Sequence, residues 1–276
     1  DIAYFVPNLG KFNNSFTLSM NAKGKIKRLV AKDIKLKYKS ETSLLANLTI
    51  NGLPNIQETF IDFNIKEFET SIDDIQKFNF PNNKKIALPF NLFKAKKINI
   101  KGIFTGFMND FVANARFNTA AGTLITDVNL KTIGNTMKYS GKVASENLNP
   151  SLFISDLKDI NSITFEAEIN GSGNKLSNFD IEFDGTIKNV LLLNKTNISN
   201  IYLTGDLKNQ YLTANISVDD PNLRISFDGN ANLLKGSESY YFFSSVKSAK
   251  ISNLNLTDRA KDCELKTQIW VDVKGT

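Results

Sequence analysis

The stretch DIEFDGTIK, residues 180–188, alternates between polar side chains and apolar or small ones. Ile181 and Phe183 fall on one side of the alternation, and Asp180 and Glu182 fall on the other. A β-strand separates such residues onto two faces, whereas a helix would distribute them around its axis. The stretch therefore predicts a strand with one apolar face and one polar face.

The same two-residue period recurs along the chain and predicts about fifteen strands. Short turns rich in Asn, Asp, Gly and Lys separate them, which is typical of antiparallel strands that follow one another directly. Several glycines are spaced by roughly 20 residues, the length of one pair of strands. These features predict an all-β fold, an elongated antiparallel sheet that grows by the addition of hairpins.

Two short segments interrupt the strands with helix signals. Ser71 is placed to cap a helix over residues 72–78, with Asp74 at the capping-box position. Asn149, which precedes a proline, predicts a second helical insert over residues 151–157. Both segments are short, so the predicted fold class stays all-β.

A sheet of this size is expected to curl. Fifteen strands about 4.8 Å apart would extend roughly 70 Å, and open twisted sheets rarely exceed about 10 strands without curling or folding over. Curling around the apolar face gives a groove with an apolar concave interior and a polar exterior. Water solvates such an interior poorly, whereas acyl chains fill it favourably.

The alternation taken alone favours a different interpretation, a packed core. In most all-β proteins, apolar strand faces pack against a second sheet. Two features argue against one closed sandwich. The strand count is too large for it, and the predicted connections are uniformly short.

The composition excludes several classes of function. The 276 residues include no histidine and one cysteine, Cys263, so His-assisted catalysis, most metal-dependent chemistry and an internal disulfide are excluded. Hydrophobic residues make up 41%, and Phe alone occurs 21 times, which is enough to form a sizeable core. We therefore expect neither enzymatic activity nor a cofactor nor a metal.

The net charge of +6 is spread along the chain. Lys25, Lys27 and Arg28 form one basic cluster, without the interleaved aromatic residues that nucleic-acid binders carry on one face. We expect no nucleic-acid partner, and anionic lipid head groups fit such clusters better. The sequence contains neither a signal peptide nor an 18-residue apolar run, and we expect it to be a segment of a longer protein.

Acidic residues offer two candidate sites with simpler explanations. Asp180, Glu182 and Asp184 share one strand face, but acid–base catalysis needs two carboxylates that converge on a substrate. Three carboxylates on a polar face more often serve solubility. Asp219 and Asp220 precede a proline, where Asp side chains typically bond backbone amides of a turn.

A series of motifs suggests a family. Residues 98–131 comprise INIKGIFTGFMNDFVANARFNTAAGTLITDVNLK, and residues 140–173 comprise SGKVASENLNPSLFISDLKDINSITFEAEINGSG. Residues 179–233 follow with FDIEFDGTIKNVLLLNKTNISNIYLTGDLKNQYLTANISVDDPNLRISFDGNANL. In this order the chain resembles the C-terminal half of TamB-like proteins of the AsmA superfamily, in the style of the Bacteroidota. The resemblance covers residues 98–258 best and residues 1–89 more weakly.

The resemblance implies both a fold and a function. TamB-like proteins are anchored at the inner membrane and reach across the periplasm as a folded-over β-sheet, called a β-taco or repeating β-groove. They are assigned to phospholipid transport toward the outer membrane, and are linked to outer-membrane protein assembly with an Omp85-type barrel. By this resemblance, residues 1–276 form one continuous groove segment in the periplasm, anchored through a segment outside them, with phospholipid acyl chains as the ligand.

Two other functions stay open. The chain could act as a scaffold or chaperone that pairs with an Omp85-type barrel protein by strand addition, or as a β-rich surface adhesin or structural protein. The resemblance shifts the balance from a packed core to a groove. The groove prediction assigns the lining to nineteen residues: Leu48, Ile50, Ile98, Ile100, Phe104, Leu124, Val128, Phe165, Ile169, Ile181, Phe183, Leu203, Leu207, Ile216, Val218, Ile225, Phe227, Ile269 and Val271.

Overall fold

Most of the described chain is β-strand. A computed structural model describes residues 16–25, 27–77, 96–152, 157–173, 178–193, 195–255 and 263–274. The strands in chain order are β1 (Phe16–Lys25), β2 (Arg28–Tyr38), β3 (Thr42–Asn51), β4 (Phe60–Ser71), β5 (Lys97–Phe107), β6 (Asp110–Thr119), β7 (Gly122–Ile133), β8 (Thr136–Leu148), β9 (Ile160–Ser172), β10 (Asp180–Leu192), β11 (Asn197–Lys208), β12 (Tyr211–Asp220), β13 (Leu223–Asn232), β14 (Ser239–Lys250) and β15 (Glu264–Lys274).

All fifteen strands belong to one antiparallel sheet. Each strand lies beside the strands that precede and follow it in the sequence, from β1 to β15, so the sheet is a meander without crossovers. The sheet is not closed. The predictions of an all-β fold and of about fifteen antiparallel strands joined in order are confirmed.

The chain divides into two compact units, residues 1–123 and residues 124–276. The first unit contains β1 to β6 and the first residues of β7, and the second contains the rest of β7 and β8 to β15. Each unit is described by itself below. That residues 1–276 form a single continuous groove stays a prediction.

The first predicted helix is present and follows its cap. Helix α1 (Ile72–Lys77) begins directly after β4, and the Ser71 hydroxyl oxygen accepts the backbone N–H of Asp74 at 3.2 Å. The Asp74 carboxylate accepts the hydroxyl of Thr42 at 2.8 Å, which ties the first turn of α1 to the start of β3. Phe78, the last residue of the predicted helix, lies outside the described residues.

The second predicted insert is a short 3-10 turn over Pro150–Leu152. Asn149 caps it as predicted, because its side-chain oxygen accepts the backbone N–H of Ser151 at 3.0 Å and the Ser151 hydroxyl at 2.6 Å. Residues 153–156, which the prediction also includes, lie outside the described residues. A further 3-10 turn at Ile56–Glu58 was not predicted.

Candidate functional site

Residues that pair across the strands of the second unit form rows on one face. Residues opposite each other in an antiparallel pair project from the same face. The row through Phe183 contains Gly141, Ile169, Phe183, Gly205, Ala214, Gly229, Phe242 and Val271. The next row contains Val143, Ala167, Gly185, Leu203, Ile216, Phe227, Ser244 and Ile269.

Two more rows flank these on the same face. One contains Ser145, Phe165, Ile187, Ile201, Val218, Ile225, Val246 and Thr267. The other contains Tyr139, Gly171, Ile181, Leu207, Leu212, Ala231, Tyr240 and Val273. These four rows are the apolar face of the second unit, and they carry no charged side chain.

The apolar face of the first unit is built in the same way. Its central rows contain Ala22, Ala31, Leu48, Phe63, Phe104 and Ala113, and Leu18, Leu36, Leu44, Phe68, Ile100 and Phe117. A further row contains Gly24, Leu29, Ile50, Ile61, Gly106 and Phe111. Ile98 lies on the same face, at the N-terminal end of β5.

The structure places the nineteen predicted lining residues on these two faces. Leu48, Ile50, Ile98, Ile100 and Phe104 lie on the face of the first unit. Twelve of the others belong to the four rows of the second unit. The last two, Leu124 and Val128, alternate onto the same side of β7, where Val128 lies beside Gly141 of the Phe183 row. Whether these faces bind lipid stays a prediction.

The large side chains of the rows are only half-buried. Phe183, Leu203 and Phe227 all keep part of their surface exposed. The buried members of the four rows are alanine, valine and serine, for example Ala214 and Val218 at 8% exposure and Ser145 at 2%. A sandwich core would bury its Phe and Leu side chains much more completely.

Glycines in the rows make space for aromatic rings. A Cβ atom added at Gly205 would lie 2.7 Å from Cζ of Phe183, so the Phe183 ring occupies the space above this glycine. A Cβ atom at Gly229 would lie 2.5 Å from Cβ of Phe242. Phe242 also contacts Phe227, with ring centroids 4.7 Å apart. The glycines beside Phe183 and Phe242 therefore leave space for the two aromatic side chains of the row.

A buried carboxylate and its hydrogen-bond donors lie at one end of the apolar face. Asp220, at the end of β12, is 4% exposed, and its carboxylate accepts the backbone N–H of Ser199 at 2.9 Å and the Ser199 hydroxyl at 2.7 Å. It also accepts the backbone N–H of Asn222 at 2.8 Å, which confirms the turn prediction for Asp220. Burial alone would raise the pKa of Asp220, but these hydrogen bonds outweigh it and hold the pKa below its usual value.

Replacing Asp220 by alanine is expected to destabilise the fold by about 2 kcal/mol, because it leaves the Ser199 and Asn222 amides without an acceptor. Since the folded-state pKa is lowered, Asp220 stabilises the fold above its unfolded-state pKa of about 4, and this contribution is lost as the pH falls toward the folded-state pKa. Urea unfolding at neutral and acidic pH measures both effects.

The matched control is Asp219→Ala, because Asp219 is exposed and its ion pair with Arg224, at 3.2 Å, is on the surface. It should change stability by less than about 0.5 kcal/mol. Equal losses of stability in Asp220→Ala and Asp219→Ala would show that the buried hydrogen bonds of Asp220 do not stabilise the fold. An unchanged loss of stability at acidic pH in Asp220→Ala would show the same.

A turn after β14 covers the same end of the face. Leu254 is 5% exposed and packs with Val246 and Ala249, with Ile251 alongside. The Leu254 carbonyl accepts the hydroxyl of Thr196 at 2.7 Å, which ties the turn to the chain just before β11. The sequence pattern did not predict this contact, and the spacing of Ile251 and Leu254 gives only a weak signal for it.

The opposite face of the second unit is charged. Asp180, Glu182 and Asp184 are exposed on it, and Asp180 forms an ion pair with Lys208 at 3.6 Å. Within the described residues, no group of three or more His, Cys, Asp or Glu side chains is arranged to hold a metal ion. This arrangement fits a solvated surface, as the sequence predicts for these carboxylates.

One aromatic pair lies on this charged face. Trp270 of β15 is 68% exposed, and its ring contacts that of Phe243 with centroids 4.4 Å apart. Tyr241, 49% exposed, alternates onto the same side of β14. Phe243 pairs with Trp270, next to the Phe242–Val271 pair of the apolar rows, so both aromatic side chains lie on the face opposite those rows.

Comparisons with known families, with curated proteins and with solved structures return no match. The resemblance to TamB-like proteins therefore stays a prediction. Among the described residues, no helix has the length and apolar character needed to cross a membrane.

Proposed function

We propose that the two apolar faces line a segment of a hydrophobic conduit, which shields phospholipid acyl chains as they cross the aqueous periplasm between the inner and outer membranes. The observation that carries this proposal is the incomplete burial of the large apolar side chains, repeated over the four rows from β8 to β15. A surface of this kind is costly to leave in water and favourable to cover with hydrocarbon.

The energetics favour lipid held without head-group contacts. Each methylene removed from water contributes roughly 0.8 kcal/mol to the binding free energy. An acyl chain along the rows is therefore held by many small contributions. Successive strands present similar side chains at intervals of about 4.8 Å. A lipid can therefore move from strand to strand, because it is not held in one deep binding pocket.

The proposal includes a shape and a location. The sheet folds over its apolar side, as in a β-taco, because water must be excluded from both sides of a bound acyl chain. The chain acts in the periplasm, held to the inner membrane by a segment outside these residues, and contributes to outer-membrane biogenesis. The motif order of residues 98–258 supports this part of the proposal.

Site-specific photo-crosslinking in cells tests the conduit. A photoreactive residue at position 183 should yield phospholipid adducts detected by mass spectrometry, because Phe183 lies in the middle of the apolar face. The matched control is position 182, whose side chain is exposed on the charged face of the same strand. Lipid labelling of both positions alike, or of neither, would contradict the conduit, and absence of adducts at position 183 would indicate a packed core.

A second function is favoured by the last strand in the order. Ile269, Trp270 and Val273 of β15 are 42%, 68% and 50% exposed, so β15 presents apolar groups on both of its faces. Such a strand suits pairing with a strand of an Omp85-type barrel or of a nascent outer-membrane protein. In the same experiment, protein adducts at positions 183 and 270 without lipid at 183 would favour this scaffold function.

A further inference from the structure

The first hairpin of the sheet, β1 and β2, concentrates positive charge on one face. The alternation and the strand pairing place six cations on the polar face, opposite the apolar rows. All six side chains are exposed. This basic face consists of Lys23, Lys25, Arg28, Lys32, Lys35 and Lys37.

These charges are not neutralised nearby. None of the six side chains forms an ion pair with a carboxylate of the described residues. Asp33 is the only acidic residue of the two strands, and its carboxylate lies 3.6 Å from the Lys66 ammonium. Glu41, in the turn after β2, is paired with Lys97 at 3.1 Å.

The neighbouring strands do not supply the missing negative charge. β3 contains no acidic residue, so the next carboxylates on this face belong to β4, two strands or about 10 Å from β2. One of them, Glu67, is already bound by Lys101 at 3.3 Å. A separation of about 10 Å is close to the screening length at physiological ionic strength, so these carboxylates compensate the basic face only weakly.

We propose that the basic face of the β1–β2 hairpin binds the surface of a membrane rich in anionic phospholipids. Four to eight clustered cations are what such a surface recognises, since each Lys or Arg near it adds to the attraction. The face is a plane of exposed charges along two strands, and it meets a planar array of head groups without needing a pocket.

The side chains between the cations favour lipid over nucleic acid. The basic face carries Thr17, Ser19 and Val30 and no aromatic residue, whereas binding of single-stranded nucleic acid combines cations with aromatic stacking. Phe16 and Tyr38, the aromatic residues of the hairpin, pair with each other on the opposite face.

This proposal goes beyond the conduit, because it concerns head groups and uses the face opposite the apolar rows of the first unit. Experiments can therefore disprove the conduit and the membrane-binding proposal independently of each other. Loss of lipid adducts at position 183 would leave the basic face untouched, and loss of membrane binding would leave the apolar rows untouched.

Vesicle co-sedimentation of the purified chain tests the proposal. The chain should bind vesicles containing phosphatidylglycerol, bind vesicles of phosphatidylcholine alone far less, and lose binding as salt is raised. The triple variant Lys32→Gln, Lys35→Gln and Lys37→Gln should weaken binding about 100-fold, because each charge near an anionic surface contributes about fivefold.

The charge-matched control is the triple variant Lys142→Gln, Lys188→Gln and Lys208→Gln. These lysines lie on the charged face of the second unit and pair with Glu168, Glu166 and Asp180. The affinity of the control variant for the anionic vesicles should fall by less than about threefold. Circular dichroism checks that both variants fold. Equal losses in the two variants, full binding by the hairpin variant, or tighter binding of duplex DNA than of the anionic vesicles would overturn the proposal.

Discussion

Replacing Phe183 by aspartate is expected to reduce phospholipid transfer by at least about tenfold. Phe183 lies between Ile169 and Gly205 in the centre of the apolar face, and no cation lies in the four rows to pair with a new carboxylate. Displacing water from an unpaired carboxylate costs several kcal/mol, whereas about 1.4 kcal/mol already corresponds to tenfold. An acyl chain should therefore not pass the substituted position. Transfer of labelled phospholipid between donor and acceptor vesicles measures this effect.

Two further variants make the result decisive. Ile225→Asp places the same charge two rows away on the same apolar face and should obstruct transfer in the same way. Ser217→Asp adds the charge on the opposite, exposed face of β12, beside Tyr202 and Ser226, and should leave transfer unchanged. If the two aspartates on the apolar face fold normally and transfer lipid at the original rate, the groove assignment is wrong.

Replacing Gly205 by valine is expected to lower the free energy of unfolding by about 3 kcal/mol. An added Cβ atom would collide with the backbone carbonyl oxygen of Thr213 and would lie 2.7 Å from Cζ of Phe183. Either the Phe183 ring must leave its place above the glycine, or β11 and β12 must move apart. Urea unfolding followed by circular dichroism measures the loss.

Thr204→Val is the matched control, because Thr204 precedes Gly205 on β11 and its side chain is exposed on the other face. Valine suits a strand, so the change there should stay within about 0.5 kcal/mol. Combining Gly205→Val with Phe183→Ala should recover part of the loss, since the ring no longer competes for the space. Similar losses at positions 204 and 205 would mean that the glycine is not needed beneath the ring.

The sequence pattern predicts the fold well where alternation is unbroken. Residues 180–187 alternate without interruption, and the structure gives them regular pairing on both sides, in β9 and in β11. The polar turn at Asp220 is also predictable in part, because its hydrogen bond from the backbone N–H of Asn222 is local, whereas the two bonds from Ser199 come from a residue 21 positions away. Neither the alternation nor the bond to Asn222 requires knowledge of distant residues, and this locality is why both predictions succeed.

Prediction fails where a bulge changes the phase of the alternation. In β4, Ile65 and Phe68 both face the apolar side although they are three residues apart, because the register shifts between them. In β2, Ala31 and Ile34 behave in the same way. The lining predicted from the alternation therefore omits Phe63 and Phe68, although both lie on the apolar face of the first unit.

The uncrossed strand order has a consequence for how the chain folds. Each strand forms its first set of backbone hydrogen bonds with the strand just before it in the sequence. β2 can therefore pair with β1 before β3 has been synthesised. Contacts between segments close in sequence cost less loop entropy and form faster. A chain built in this way can fold progressively, one hairpin at a time, and the first strands can pair before the last strand is available.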